Sequence, residues 1–172
     1  MIPQALIERV GRALCARGLH VSTAESCTGG LVAASLVDYP GISAALDEAH
    51  VVYANAAKVR YCGVAPETLE AHGAVSPEAA REMAEGLRQR SGADVALSTT
   101  GIAGPGGGTA QKPVGLVYLA CASPGGTRID ALSLSGDRRQ IREQATTRAL
   151  AMILAAAEGS TMLEDSNGIE KE

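Results

Sequence analysis

The chain of 172 residues contains no phenylalanine and no tryptophan, and only four tyrosines. A core without large rings has to be assembled from Ala, Val, Leu and Ile, which let helices lie close on a sheet. The same lack removes the aromatic platforms on which single-stranded nucleic acid stacks. Positive charge is also short. The formal net charge is −4, and the basic residues are scattered apart from Arg138, Arg139, Arg142 and Arg148 in one late segment, so no nucleic-acid partner is expected. Cys15, Cys27, Cys62 and Cys121 show no C-x-x-C spacing and only three histidines accompany them. That pattern indicates neither a zinc site nor a disulfide framework but reduced thiols in a cytoplasmic protein. No apolar run approaches the ~20 residues that a membrane helix requires. Residues 1–9 alternate charged and apolar side chains without an export-signal pattern, so neither a membrane partner nor export is expected.

Glycine, by contrast, is abundant and unevenly placed. A strand-like run at 94–98 empties into Thr99, Thr100 and then Gly101, Gly104, Gly106, Gly107 and Gly108, a stretch whose backbone can approach a ligand because glycine has no Cβ. An earlier strand-like run at 21–24 passes into Glu25-Ser26-Cys27-Thr28-Gly29-Gly30 and then an apolar helical segment. Two strand ends of this kind predict one shared cleft.

The length fits one domain, here 1–158, followed by a flexible polar tail over 159–172. Leu6, Val10 and Leu14 share a helical face, with Pro3 at its start and Gly18 at its cap. A helix over 31–37 follows the first strand, and β-like character returns at 50–53. Asn55 is placed to cap a helix over 56–62 that Gly63 closes. A short helix over 66–72 stops at Gly73, and Ser76-Pro77-Glu78 opens another with Ala80, Met83, Ala84 and Leu87 on its buried face. The apolar run 114–122 reads as a central strand, and Pro124-Gly125-Gly126 turns it into an antiparallel partner over 128–134. Asp137 and Gln140 form a capping-box pattern before a long last helix. Helices alternating with strands predict a three-layer α/β/α sandwich with a mixed, mostly parallel sheet and ligands bound where loops leave the strands.

Neither glycine stretch matches a P-loop or a dinucleotide fingerprint. Ser26, Cys27 and Thr28 lie at a helix start whose N–H groups suit an oxyanion or phosphate, yet on spacing alone Ser26 or Thr28 serving simply as the cap of the helix opening at Gly29 explains the pattern better than catalysis does. A serine nucleophile needs a base, and Lys58, within an otherwise apolar segment, is the candidate, although on its own a solvated helix lysine is the reading that prevails. Cys27 is an alternative nucleophile or an inert buried thiol.

Five segments together resemble a known family. They are Thr23-Ala24-Glu25-Ser26-Cys27-Thr28-Gly29-Gly30, Tyr53-Ala54-Asn55-Ala56-Ala57-Lys58, His72-Gly73-Ala74-Val75-Ser76, residues 100–108 with Lys112-Pro113-Val114-Gly115, and Gly136-Asp137-Arg138. In order and over about residues 6–156, they are similar to the C-terminal domain of the competence/damage-inducible protein CinA, the nicotinamide-nucleotide amidohydrolase family, in its stand-alone form. The resemblance implies hydrolysis of nicotinamide mononucleotide to nicotinate mononucleotide and ammonia, with no metal or cofactor, in pyridine nucleotide recycling. It implies Ser26 as nucleophile, Lys58 as base, and Tyr53 and Asn55 orienting the lysine or the ring amide. Thr100 and Gly101 would bind substrate or oxyanion. Arg138 and Arg142 would hold the phosphate, with Gly104, Gly106 and Gly107 allowing close approach. Ser43, in Pro40-Gly41-Ile42-Ser43, is a second serine of the implied site, or a cap. A homodimer or larger symmetric homo-oligomer is also expected. One departure precedes Tyr53: Glu48-Ala49-His50-Val51 stands where the family carries a glycine pair and then valines. That change motivates a second expectation, a nucleotide-binding module of the same fold that acts through protein partners without turnover.

Overall fold

The computed structural model describes residues 1–159; from residue 160 on, the expected polar tail lies outside the described residues. Five strands form one sheet in the order β2-β1-β3-β4-β5. They are β1 (Val21–Glu25), β2 (Leu46–Val51), β3 (Val95–Gly101), β4 (Leu116–Ser123) and β5 (Gly126–Ser133). β1 pairs in parallel with β2 and β3, whereas β4 is antiparallel to both β3 and β5. Four strands therefore run one way and β4 alone runs against them, a mixed and mostly parallel sheet. β3 holds the centre. β4, expected there, is one place from the edge, and its inward run is apolar because helices cover it on both sides.

One layer is built by α1 (Gln4–Arg17), α2 (Leu31–Val37) and α6 (Arg138–Glu158), whose Val10, Leu14, Leu36, Leu150 and Ile153 are fully buried with Val21 and Leu97 of the sheet. The opposite layer is led by α5 (Pro77–Ser91), which lays Met83 and Leu87 on Ala24 and Ala96. Small alanines at Ala80, Ala84, Ala120 and Ala122 let α5 approach β4 closely. The sandwich predicted from the pattern is present, made without a single large ring in its core.

Local signals explain most boundaries. Gly18, Gly63 and Gly92 end helices in the left-handed region, where glycine carries no Cβ penalty. The Ser76 hydroxyl accepts from the Ala79 N–H at 3.2 Å, and Asp137 with Gln140 forms the complete capping box. The β4–β5 hairpin is tight, Ser123 pairing with Gly126 around Pro124 and Gly125. Two expectations are corrected. The strand expected at 50–53 is Leu46–Val51, begun earlier at Leu46 and carried on through the exposed Asp47 and Glu48, because an edge strand needs no continuous apolar face. The helix expected over 56–62 is a single α turn, α3 (Asn55–Ala57), running into a π-helical turn, Lys58–Cys62. Its N-cap residue is Ala54, and Asn55 makes no side-chain cap bond.

Candidate active site

At the carboxyl ends of β1 and β3 the chain brings Ser26 and Lys58 together. Ser26 follows β1 directly, and its N–H donates to the Thr99 carbonyl at 3.0 Å, which fixes the start of the turn against β3. Lys58 is 1 % exposed. Its Nζ donates to Ser26 Oγ at 3.1 Å and to the carbonyls of Val52 and Tyr53 at 2.9 and 3.0 Å. Burial pushes its pKa below the ordinary lysine value, because an ammonium loses hydration that the protein does not replace in full. A neutral amine has two N–H donors and one lone pair. With the two carbonyls taking the donors, the lone pair is left facing the serine hydroxyl, the arrangement of a base beside a nucleophile.

The π turn puts Lys58 there, and α5 permits it. A Cβ at Gly86, in the middle of α5, would overlap the Cys62 carbonyl oxygen, so this glycine is the opening into which the π turn settles. Gly86→Ala gains about 1 kcal/mol of helix propensity but forces the turn away. A net destabilisation of about 1–3 kcal/mol is expected, read as a lower urea midpoint.

The turn after Ser26 is organised by Glu25, a residue that sequence reasoning left without a role. Glu25 Oε2 accepts from Thr28 Oγ1 at 2.6 Å, Gly30 N–H at 3.0 Å and Val32 N–H at 3.1 Å, and Oε1 accepts from Ala33 N–H at 2.9 Å. Neither Ser26 nor Thr28 caps α2; this carboxylate does. The start of α2 is filled by the protein's own acid and is not an anion site. The N–H groups of Cys27 and Thr28 are not among the donors Glu25 takes. Thr28 Oγ1 also lies 2.8 Å from Thr99 Oγ1, so Thr99 is the strand-end hydroxyl that reaches this turn. Thr100, expected with Gly101 to bind substrate or oxyanion, donates its hydroxyl to the Ala74 carbonyl at 2.6 Å and holds the segment before α5. Cys27 is buried and its thiol is pushed up to about 11, which leaves it a poor nucleophile.

The arginines span the cleft. Arg138 donates to the Gly104 carbonyl at 2.7 Å and to the Tyr53 hydroxyl at 3.0 Å, joining the glycine loop to the Tyr53 segment. Tyr53 thus meets Lys58 through its main-chain carbonyl, while its phenol is largely exposed and bound to Arg138. Arg142 donates through Nε and Nη2 to the Thr28 carbonyl at 3.2 and 2.6 Å and reaches within 3.4 Å of where a Gly29 Cβ would stand. Leu31, Arg138, Arg139, Arg142 and Glu143 line a shallow cleft of about 390 Å³ beside this turn. Gly101 is the last residue of β3, and a Cβ there would press on the Leu116 carbonyl; Gly106 faces open space and Gly107 has a positive φ of 85°. Asn55 is exposed at the start of α3. Ser43 is not brought to this place. It precedes β2, whereas Lys58 lies beyond the strand's other end, and six extended residues span about 20 Å. Among the described residues no three His, Cys, Asp or Glu side chains are grouped to hold a metal ion, and no helix is long and apolar enough to cross a membrane.

The CinA C-terminal domain family model matches residues 3–157. The chain belongs to this family. A competence-damage inducible protein of Symbiobacterium thermophilum, so named, is 53 % identical over 159 residues, covering 87 % of this chain and 37 % of that protein. Its counterpart in Clostridium kluyveri is 51 % identical over 143 residues, 83 % of this chain and 35 % of that protein. The chain thus spans little more than a third of the length of these curated relatives. Among solved structures, the competence/damage inducible protein of Agrobacterium tumefaciens aligns with a TM-score of 0.88 at 43 % identity, covering 91 % of this chain and 98 % of that one. A CinA superfamily protein of Klebsiella pneumoniae aligns at 0.86 and 36 %, with 91 % and 98 % covered.

Proposed function

We propose that this CinA-family domain is an amidohydrolase that converts nicotinamide mononucleotide to nicotinate mononucleotide and ammonia in pyridine nucleotide recycling. The observation that carries the reading is the buried Lys58 amine, 3.1 Å from Ser26 Oγ with its other donors occupied by two carbonyls. Ser26 Oγ attacks the carboxamide carbon while Lys58 Nζ takes the hydroxyl proton. The proton then passes to the departing nitrogen, ammonia leaves, and water hydrolyses the acyl-serine with Lys58 again as base. The N–H groups of Cys27 and Thr28, which follow the nucleophile in the turn, would donate to the tetrahedral oxyanion. Arg138 and Arg142, with Gly104, Gly106 and Gly107, hold the phosphate, while Tyr53 and Asn55 flank the ring. The alternative, a binding module without turnover, rested on Glu48 to His50. These residues lie on the outer edge of the sheet, and the contact between Lys58 and Ser26 is formed regardless, which favours the enzyme.

Ammonia and nicotinate mononucleotide released together by the purified chain, and absent from Ser26→Ala, is the expected result; nucleotide binding without product supports the module instead. Because an ammonium has no lone pair, kcat/KM is expected to rise with pH and level off at a midpoint below the ordinary lysine value, the direction that burial imposes on Lys58. A rising limb that persists unchanged in Lys58→Met would contradict the lysine base.

A further inference from the structure

The segments His72-Gly73 and Lys112-Pro113-Val114-Gly115 take no part in the chemistry assigned so far, and the fold brings them together. Residues 103–114 leave the sheet between β3 and β4 as a loop with a closed neck. The Ile102 N–H donates to the Leu116 carbonyl at 2.9 Å and the Gly115 N–H to the Ile102 carbonyl at 2.8 Å, so the two ends of the excursion lie side by side, the form of an Ω-loop. Val114 fills the loop from within. A Cβ at Gly104 would stand 2.6 Å from Val114 Cγ1, and one at Gly108 would stand 2.8 Å from the Val114 nitrogen. These two glycines are required by the loop's own packing. Gly106 and Gly107 stay uncovered, with nothing within 4 Å of a Cβ at Gly106 and only Ile102, at 3.9 Å, near one at Gly107.

Two cationic side chains tie this loop to the two helical layers. On the side of α6, Arg138 donates to the Gly104 carbonyl at 2.7 Å. On the side of α5, Lys112 Nζ donates to the His72 carbonyl at 2.6 Å. His72 ends α4 (Pro66–His72), which Glu82 of α5 anchors by accepting from the Ala65 N–H at 2.8 Å and the Thr68 hydroxyl at 2.6 Å. A carbonyl at a helix end has no intrahelical partner and lies at the negative end of the peptide dipoles, which makes it a seat for an ammonium. Gly73 keeps that seat open: its φ is 76°, and a Cβ there would stand 3.2 Å from Lys112 Nζ. The backbone of Lys112 is fixed to the loop in turn, its carbonyl accepting from the Thr109 N–H at 2.8 Å and its N–H donating to Thr109 Oγ1 at 3.0 Å. Through this one side chain the position of α4 sets the position of the glycine loop.

We propose that Lys112 is a positioning residue: seated on His72 and Gly73, it holds the loop over 104–112 as a fixed wall against which the phosphate of the substrate binds. This rests on the amidohydrolase reading, in which Arg138 and the loop glycines hold that phosphate. A phosphate on Arg138 competes with the Gly104 carbonyl for the same guanidinium, so the tie on the α6 side weakens as substrate arrives. The tie through Lys112 lies outside that exchange and keeps Gly106 and Gly107 in place to receive the charge. Lys112 therefore sets the affinity for a phosphate-bearing substrate and leaves the chemistry of Ser26 and Lys58 alone.

Lys112→Met keeps the aliphatic stem and removes the ammonium. In the full chain its KM for nicotinamide mononucleotide is expected to rise about tenfold or more, the equivalent of one lost charge-assisted hydrogen bond, with kcat within about twofold of wild type. Amide hydrogen exchange is expected to quicken at Thr109 and at position 112 and to stay unchanged at Ile102 and Gly115 in the neck, which separates a released loop from an unfolded one. Gly73→Ala keeps the ammonium but sets a methyl group against it. It is expected to raise KM as Lys112→Met does, and the double variant no further than either alone. An unchanged KM in Lys112→Met, a fall in kcat in place of the rise in KM, or unchanged exchange at Thr109 overturns the proposal. So does a wild-type KM in Gly73→Ala, which would leave Lys112 touching the phosphate itself. No ammonia release from the wild type sinks the amidohydrolase reading separately, and the calorimetric Kd for the mononucleotide then decides the wall. Binding about tenfold weaker in Lys112→Met supports it, whereas equal binding, or none by either chain, overturns it.

Discussion

Lys58→Met is expected to lower ammonia release about 10²–10⁴-fold, the usual contribution of a positioned general base. Methionine keeps the length and apolar stem of lysine, so the packing between the π turn and α5 is retained and the loss falls on kcat with KM little changed. The same substitution abolishes the rising limb of the pH profile. Lys58→Arg separates two explanations: if the lysine served as a fixed positive charge, arginine would restore turnover, but a guanidinium stays protonated at any accessible pH, so arginine should be as inactive as methionine. Stability carries an independent mark of the same amine. The folded pKa lies below the unfolded one, so between the two values the unfolded chain binds more protons, and stability rises with pH across that window. Urea unfolding at several pH values should show this rise in the wild type and its absence in Lys58→Met. Turnover within tenfold of wild type in the methionine variant would remove Lys58 as the base.

The architecture was legible because its signals are local. Glycines in the left-handed region, the Ser76 cap and the Asp137 capping box each act within a few residues, and hydrophobic periodicity supplied the faces between them. Ser26 and Lys58 were legible as a pair only through family resemblance, since spacing alone favoured a helix cap and a solvated lysine. What the sequence did not show has physical reasons. Ending β3 at Ser98 rather than Gly101 hid which threonine reaches the serine turn, because consecutive strand residues face opposite ways: Thr99 meets Thr28, and Thr100 meets Ala74. The π turn has no compositional marker, as it differs from an α turn only in the residue to which each N–H donates. Ser43 cannot be placed without knowing that β2 runs parallel to β1, which puts its start far from the cleft. Glu25 escaped because its carboxylate caps forward, onto Gly30, Val32 and Ala33, whereas the familiar box pairs a hydroxyl cap with an acid three residues later. The available clue was an acid ending an apolar strand immediately before a glycine pair.

Glu25→Ala is expected to be the most destabilising change at the site, by about 3–5 kcal/mol, since one side chain satisfies three backbone donors and a hydroxyl, and hydrogen bonds to a charged group contribute about 1.5–3 kcal/mol each before non-additivity. These bonds secure the start of a helix that cannot hold itself. α2 has only seven residues, too few to persist on helix propensity alone, and its N-cap residue Gly30 makes no side-chain cap bond of its own. Without the carboxylate, the N–H groups of Val32 and Ala33 lose their acceptor, and Thr28 loses the contact that presents it to Thr99. Glu25→Gln is the finer probe. An amide keeps one oxygen, so whichever way it turns, its NH₂ confronts a backbone donor, either Ala33 on one side or the cluster of Gly30, Val32 and Thr28 on the other. A smaller loss of about 1–3 kcal/mol is expected, the cost of one unsatisfied buried donor. Urea midpoints at constant m-value give both numbers. Turnover measured well below the midpoints tells whether the turn also aims the serine: if Glu25 holds Ser26 in register with Lys58, kcat falls in the glutamine variant while the chain is still folded. An alanine variant within about 1 kcal/mol of wild type would show that the carboxylate does not organise this turn.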